Sequence, residues 1–218
     1  MKKIFAFLLL AGGLVYACKQ KDGTTKEQPA PFAVVDSFLV TDSSWGLIRA
    51  ADNMEKLKER LGAANMKDER ICGPECMDSI DVTILFPGTA NESTVYWEDS
   101  AYHSKIRLID CFKEASQWHT ADSIRIGSGL KDLLRINGKK ISFFWFGWDY
   151  GGTISTYNGG RLENSRIGYR LDLAASNGYE DMSLVGDVSI DSEMPSVQKA
   201  MDNIRVWWIS LQFSKPSE

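Results

Sequence analysis

The sequence predicts an α+β protein built from two related halves, each a short helix followed by an antiparallel β-meander, which together form a mainly antiparallel sheet. Three observations predict this fold. Two helix-like segments of similar pattern, Leu47–Ala63 and Ser123–Lys139, lie 76 residues apart. Each is followed by three segments rich in β-branched and aromatic residues. A final alternating segment, Arg205–Phe213, supplies a further strand with one apolar face.

The two helix-like segments share their start and stop signals. In the first, Asp52 is the predicted N-cap, Glu55 follows three residues later and Gly62 ends the helix. In the second, Ser128 is the predicted N-cap and Gly138 is the stop. The apolar stripes are Met54, Leu57 and Leu61 in the first and Leu130, Leu133 and Leu134 in the second. A chance match is the alternative to an internal repeat, because helices that end at glycine are common.

Three predicted strands follow each helix. After the first helix they are Ile80–Phe86, Thr94–Trp97 and Lys105–Phe112. After the second they are Ile141–Trp148, Thr153–Tyr157 and Arg166–Leu173, the last with the strict alternation of a sheet that has one buried face. The halves are expected to span residues 32–117 and 118–218, and the second includes the C-terminal strand.

The N-terminus carries the pattern of an exported protein. A positive start, Met1–Lys3, precedes an apolar run, Ile4–Val15, that is shorter than the ~20 residues needed to span a bilayer. Residues 1–17 are therefore predicted to be a signal peptide. The next residues, Val15-Tyr16-Ala17-Cys18, resemble the lipobox of bacterial lipoproteins. An ordinary signal peptide followed by a chance cysteine is the alternative.

The lipoprotein resemblance implies a lipid anchor and a location in the cell. It implies cleavage before Cys18 and acylation of its thiol, so that acyl chains hold the protein on the membrane. Lys19 instead of aspartate follows the cysteine, which by resemblance to Gram-negative lipoproteins favours the outer membrane, on either its periplasmic or its external side. Residues 18–31 are polar and contain no aromatic residue, so they are predicted to form a flexible tether.

Charge and motifs exclude several functions. The chain has 218 residues and a net charge of −4, and loss of Lys2 and Lys3 with the signal peptide makes it more acidic. Without a basic cluster, no nucleic-acid partner is expected. No phosphate-binding loop, serine-nucleophile elbow or zinc-protease motif occurs, so the chain is predicted to be neither an enzyme nor a cofactor protein. Neighbouring acids, Glu98-Asp99 and Glu180-Asp181, leave a carboxylate glycosidase as a distant alternative.

Three cysteines remain after lipidation. In an oxidising compartment, Cys72 and Cys76 are the predicted disulfide, and pairing of either with Cys111 is the alternative. A catalytic redox pair is usually spaced C-x-x-C, whereas this spacing is C-x3-C. The two histidines, His103 and His119, have no ligand-like spacing, so no metal site is expected.

The stretch "FFWFGWDYGG", Phe143–Gly152, is the most unusual segment of the chain. It is interpreted either as a central strand covered on both faces or as an exposed aromatic surface. The second interpretation predicts a binding surface for a sugar or a protein, formed by Trp148, Asp149, Tyr150, Tyr157, Asn158 and Arg161. A sugar site requires Trp148 or Tyr150 to be exposed beside polar groups.

The tandem helix-plus-meander layout, with a glycine-terminated helix ahead of each sheet, resembles the SmpA/OmlA type of envelope lipoprotein and the tandem-repeat beta-lactamase inhibitor protein. The resemblance implies a non-catalytic module that binds another protein through a sheet face. The leading hypothesis is therefore a lipid-anchored envelope protein with a protein-binding or structural role. Glycan binding through the aromatic surface is the runner-up.

Overall fold

A computed structural model of the chain describes residues 35–73, 76, 78–99, 101–174 and 188–214. The described residues all belong to one compact structural unit, Val35–Glu218. They contain three α-helices and thirteen strands that pair mostly antiparallel, so the α+β prediction is confirmed. The predicted signal peptide, Cys18 and the tether lie outside the described residues.

The main sheet has six strands, all antiparallel to their neighbours, in the order β11-β13-β7-β6-β5-β4. Its strands are β4 (Met66–Cys72), β5 (Ser79–Leu85), β6 (Ser93–Trp97), β7 (Ile106–Cys111), β11 (Ile167–Leu173) and β13 (Ile204–Gln212). The strands β5, β6 and β7 are those predicted after the first helix. Strand β4 was not predicted, because its mostly exposed, charged side chains are typical of a protected sheet edge and not of a buried strand.

Two small sheets accompany the main sheet. The first has the order β3-β2-β1-β8 and the second has the order β10-β9-β12. The first contains β1 (Leu39–Thr41), β2 (Ser44–Trp45), β3 (Ile48–Arg49) and β8 (His119–Thr120), with β1 and β8 parallel. The second contains β9 (Ser142–Phe144), β10 (Ile154–Thr156) and β12 (Ser189–Asp191).

The division into two equivalent helix-meander halves is not confirmed. Strands β9 and β10 pair with each other, but β11 lies in the main sheet beside β13. The pairing of β11 with β13 runs from Ile167 opposite Leu211 to Leu173 opposite Ile204. Strand β13 also pairs with β7, so a single sheet contains strands from residues 32–117 and from 118–218.

Both predicted helices form and both end at the predicted glycine. They are α1 (Met54–Leu61) and α2 (Leu130–Asn137), followed by a third, α3 (Pro195–Ala200). Gly62 and Gly138 adopt φ angles of +81° and +72°, which residues with a side chain rarely adopt. The stop signals are therefore confirmed.

The predicted helix starts were each wrong by one residue. Asn53 caps α1, since its side chain accepts a hydrogen bond from the Lys56 amide at 3.0 Å. Asp52 is almost fully buried, accepts a hydrogen bond from the Arg49 amide at 2.8 Å and pairs with Arg60 at 3.1 Å. A carboxylate held by these two partners is not available as a cap.

The start of α2 is displaced in the same way. Its N-cap is Gly129, whose amide donates to the Asp132 carboxylate at 3.2 Å. The hydroxyl of Ser128, the predicted cap, accepts a hydrogen bond from the Arg125 amide at 3.0 Å instead.

One hydrophobic core joins the helices to the sheets. It includes Leu57 of α1, Leu133 of α2, Val197 of α3, Ile109 and Leu211 of the main sheet, and Phe143 of β9. Burying each such side chain contributes about 1.5–3 kcal/mol to the free energy of unfolding.

Candidate functional site

The aromatic stretch divides into a buried part and a surface part at Gly147. Strand β9 ends at Phe144, so the predicted strand Ile141–Trp148 was too long. Trp145 and Phe146 follow the strand and are both buried, at 3% and 2% exposure. Gly147 then adopts a φ of +92°, and the chain turns away from the core.

The two rings of the surface part, Trp148 and Tyr150, form a row with the half-buried ring of Phe144 in β9, called the aromatic row below. The Phe144 and Trp148 ring centroids are 5.6 Å apart and those of Trp148 and Tyr150 are 5.4 Å apart, both edge to face. Trp148 is half-buried and Tyr150 is 60% exposed. The row therefore presents ring surface and one phenol to solvent, as the binding interpretation requires.

A cavity of about 380 Å³, called the loop cavity below, lies between the aromatic row and the main sheet. Arg170 of β11 lies at its centre and donates to the carbonyl oxygens of Asp149 at 2.7 Å and Gly151 at 3.0 Å. Its guanidinium carbon is also 5.1 Å from the centroid of the Trp207 ring. The cavity is lined by Phe146, Gly147, Trp148, Asp149, Gly151, Arg170, Asp172 and Trp207.

Two residues that line the loop cavity, Trp148 and Arg170, each carry a buried donor without an acceptor among the residues described. Neither Trp148 Nε1 nor Arg170 Nε has a hydrogen-bond partner in the part of the chain that the structure describes. Buried N–H groups without partners are rare in folded proteins and cost about 1–3 kcal/mol each. Burial lowers the pKa of Arg170, while the nearby Asp172 and Asp149 oppose the shift. Arginine remains charged at neutral pH, so the cavity holds one cation and two carboxylates, which together are net negative.

The other three predicted site residues are not brought to the loop cavity. Asn158 donates from its side-chain amide to the Lys140 carbonyl at 3.1 Å and the Ser142 hydroxyl at 3.2 Å. Arg161 forms an ion pair with Asp122. These bonds hold the turn after β10, and neither side chain lines the loop cavity.

Tyr157 packs against the hydrophobic core, and burial strongly raises the pKa of its phenol. Asn158 and Gly159 have φ angles of +53° and +69°, which are the positive values that both central residues of a type I′ turn require.

A second and larger cavity, of about 640 Å³, lies along β11 and is called the β11 cavity below. Its lining includes Tyr157, Gly168, Trp208, Ser210, Leu108 and Gln212. The sequence did not predict this site. The available signal was the adjacent pair Trp207-Trp208 in a predicted strand, where regular alternation would bury one ring and expose the other.

The indole of Trp208 is fixed by a buried carboxylate. Trp208 Nε1 donates to Asp110 Oδ2 at 3.0 Å, and Asp110 is 5% exposed. Burial raises the pKa of Asp110 to about 6, although contacts with Trp208, Tyr96 and Thr94 oppose the rise. Asp110 Oδ1 accepts no hydrogen bond of good geometry from the described residues.

The cysteines are arranged as predicted. Cys72, the last residue of β4, is paired with Cys76, which lies between β4 and β5, and their Cα atoms are 4.8 Å apart. Cys111 is free and buried, and burial raises the pKa of its thiol. Within the described ranges, no group of three or more histidine, cysteine or acidic side chains is placed to hold a metal ion. No helix among the described residues is long and apolar enough to cross a membrane.

The acid pairs differ in their surroundings. Glu98 pairs with Lys105 at 2.9 Å, and Asp99 accepts hydrogen bonds from the Tyr102 amide at 3.0 Å and from the Ser104 hydroxyl. These contacts stabilise a turn and do not form a cleft. The pair Glu180-Asp181 lies outside the described residues. Two other carboxylates, Asp149 and Asp172, line the loop cavity together.

Comparison with known proteins identifies no family for the chain. No family model matches it, and no curated protein matches it. The solved structure titled "Crystal structure of the uncharacterized protein yfeY from Escherichia coli" is similar over 79% of this chain and 98% of its own, with 14% identity and a TM-score of 0.43. At this level of similarity, no function or site residue is transferred.

Proposed function

We propose that the chain is a lipid-anchored cell-envelope protein that binds a saccharide at the loop cavity without transforming it. The observation that carries the binding proposal is the pair of unpartnered buried donors, Trp148 Nε1 and Arg170 Nε, beside an exposed tyrosine ring. Sugar hydroxyl oxygens would accept from both donors, and the C–H face of a sugar ring would pack against the aromatic row.

The size and charge of the loop cavity support a small neutral ligand. A volume of about 380 Å³ lies at the lower end of the usual range for ligand sites and suits one or two sugar rings. Asp149 and Asp172 offset the charge of Arg170, so an acidic sugar would meet net repulsion. The carboxylates also supply acceptors for the hydroxyl hydrogens of a neutral sugar.

A protein partner is the second candidate. Val188 is 59% exposed, and its carbonyl accepts a hydrogen bond from the Trp145 amide at 3.0 Å, so it lies beside the aromatic stretch. Tyr150 and Val188 would supply the apolar contacts of such an interface. The saccharide is favoured because a protein docked on these exposed groups would leave the two buried donors unpartnered.

The anchor and the internal repeat belong to the same proposal. The lipobox-like residues at Cys18 support acylation, and Lys19 supports an outer-membrane location. Descent from a duplicated helix-meander unit is supported by α1 and α2, which have eight residues each and both end at glycine.

Saccharide binding is tested with the soluble chain starting at Lys19 on an array of neutral and acidic glycans. We expect neutral glycans to bind and Trp148→Phe, which removes the indole donor but keeps an aromatic ring, to weaken binding. Tyr150→Ala should weaken binding as well, whereas Tyr102→Ala, which changes another highly exposed tyrosine, should not. Binding of acidic glycans alone, or of none, would contradict the proposal.

The same samples test for catalysis. Because Asp149 and Asp172 line one cavity, the bound glycan is incubated with the protein and its reducing ends are measured. We expect no increase in reducing ends. An increase that Asp149→Asn abolishes would make the protein a glycosidase.

Acylation is tested by labelling cells with radioactive palmitate. We expect label on the wild-type chain and none on Cys18→Ala. The matched control is Cys111→Ala, which removes the free buried thiol and should retain the label. Label on Cys18→Ala would contradict the anchor.

A further inference from the structure

A β-bulge in β13 places two tryptophans opposite one arginine. The register of β11 with β13 shifts between Arg170 and Leu171, so that Arg170 is opposite Trp208 while Leu171 is opposite Val206. Trp207 is the extra residue. At a bulge, two residues of one strand oppose a single residue of its neighbour, and the bulge redirects their side chains. Trp208 is therefore the cross-strand neighbour of Arg170, and the Trp207 ring lies under the Arg170 guanidinium.

The two indoles serve different cavities. Trp207 lines the loop cavity with the Arg170 guanidinium over its ring, and Trp208 lines the β11 cavity. The cavities adjoin, because Thr153, which lines the β11 cavity, forms an isolated antiparallel bridge with Arg170, which lines the loop cavity.

The floor of the β11 cavity beside Trp208 is kept open by Gly168. A Cβ atom at this position would lie 2.8 Å from Ser210 Oγ and 3.7 Å from the Trp208 ring. The bond from Trp208 Nε1 to the buried Asp110 fixes the ring that forms the wall. A fixed indole, an open floor and the polar groups of Ser210 and Gln212 are the elements of a second sugar-stacking subsite.

From this arrangement we infer that the loop cavity and the β11 cavity are consecutive subsites for one linear neutral oligosaccharide, in which the Trp208 ring is the wall of the second subsite and the Trp207 ring supports the Arg170 guanidinium of the first. The inference rests on the proposed function and extends it from a single sugar to a chain. Asp110 acts in it as a positioning residue, because it contacts Trp208 and does not line either cavity.

The inference is tested by calorimetric titration of the soluble chain with N-acetylglucosamine and its β1,4-linked dimer to pentamer. We expect the association constant to rise about tenfold or more from the monomer to the trimer, which is the gain expected from one added stacking contact. Trp208→Ala should remove that gain and leave monomer affinity within about twofold of wild type. Trp148→Phe should weaken monomer and oligomer binding together.

Gly168→Ala is the second variant, since it narrows the β11 cavity and leaves Trp208 and Asp110 in place. It should lower oligomer affinity selectively, while circular dichroism verifies that the variant folds. Equal affinity for monomer and oligomers, or unchanged oligomer affinity in both variants, would overturn the inference and leave the loop-cavity site standing. Binding of neither monomer nor oligomers, together with an array on which no neutral glycan binds, would overturn the proposed function as well.

Discussion

The two ends of the aromatic stretch have similar compositions and opposite roles. Phe143, Trp145 and Phe146 are buried and pack against one another with ring centroids 5.0–6.4 Å apart. After Gly147, Trp148 is half-buried and Tyr150 is largely exposed. The first part stabilises the fold, and the second forms the wall of a cavity.

The difference lies in the backbone and in the hydrogen bonds of the rings, and not in their hydrophobicity. The strand ends before Trp145, and the positive φ of Gly147 turns the chain. Trp208, whose indole N–H meets a carboxylate, is fixed, whereas the Trp148 N–H has no partner among the described residues. A polar atom without a partner does not by itself indicate a binding site, since Trp45 Nε1 also lacks a partner within the described ranges while its ring is fully buried; Trp148 differs because its ring lines a cavity.

The largest expected effect is a difference in the loss of stability between substitutions at the two ends of the aromatic stretch. Phe143→Ala removes a fully buried ring and should lower the free energy of unfolding by about 3–5 kcal/mol, because it creates a cavity in the core. Tyr150→Ala should change it by less than about 0.5 kcal/mol. Urea unfolding of both variants measures this contrast. Comparable losses in both would show that Tyr150 belongs to the core.

The next effect concerns the fixed indole. The pKa of Asp110 is raised to about 6 in the folded protein, so the folded state prefers the protonated form. Its contribution to stability is full below about pH 3.8 and is lost as pH rises through about 6. Wild type should therefore lose up to about 3 kcal/mol relative to Asp110→Asn between pH 4 and pH 8.

This difference is measured by urea unfolding of both proteins at the two pH values. Comparison with the Asn variant cancels the other titrating groups, including Tyr96 beside the carboxylate. A wild-type protein that gains stability over Asp110→Asn as pH rises would contradict the assignment.

A smaller loss of stability is expected from a substitution at Gly147, where the buried part of the aromatic stretch meets its surface part. Gly147→Ala forces a side chain into a left-handed backbone conformation and should cost about 1–2 kcal/mol. It should also weaken saccharide binding, because the change displaces Trp148. The control is Gly88→Ala, since Gly88 also has a positive φ, +74°, and a Cβ there meets no atom within 4 Å. The control should lose similar stability and keep full affinity.

The smallest expected effect is spectroscopic. Under acrylamide, Trp148→Phe should remove a readily quenched, red-shifted part of the emission, whereas Trp145→Phe should remove a shielded, blue-shifted part. If both substitutions removed a shielded component, the two ends of the stretch would not differ.

Local patterns predicted the elements of this fold well. The glycine stops of α1 and α2, the strands β5 to β7 and the cysteine pair depend on neighbouring residues, and each was found where the sequence places it. Strand β4 was missed because a charged edge strand lacks a buried face. The caps were displaced because Asp52 is engaged by Arg60, a partner that no local pattern reveals.

The candidate site was predicted only in part, because it depends on contacts distant in sequence. Trp148, Asp149 and Tyr150 lie at the loop, as expected. Arg170 and Trp207 complete the loop cavity, and neither was predicted, since the pairing of β11 with β13 brings them there. Asn158 and Arg161 were assigned to the site from proximity in sequence, but they bind Lys140 and Asp122.

The central claim is that the unpartnered indole N–H of Trp148 and the guanidinium of Arg170 hold a neutral saccharide. The most direct measurement is calorimetric titration of N-acetylglucosamine into wild type, Trp148→Phe and Arg170→Lys under identical conditions. The account predicts binding to wild type and a loss of about tenfold in affinity for each variant, which is the value of one hydrogen bond to a buried donor. Equal affinity in all three proteins would contradict it.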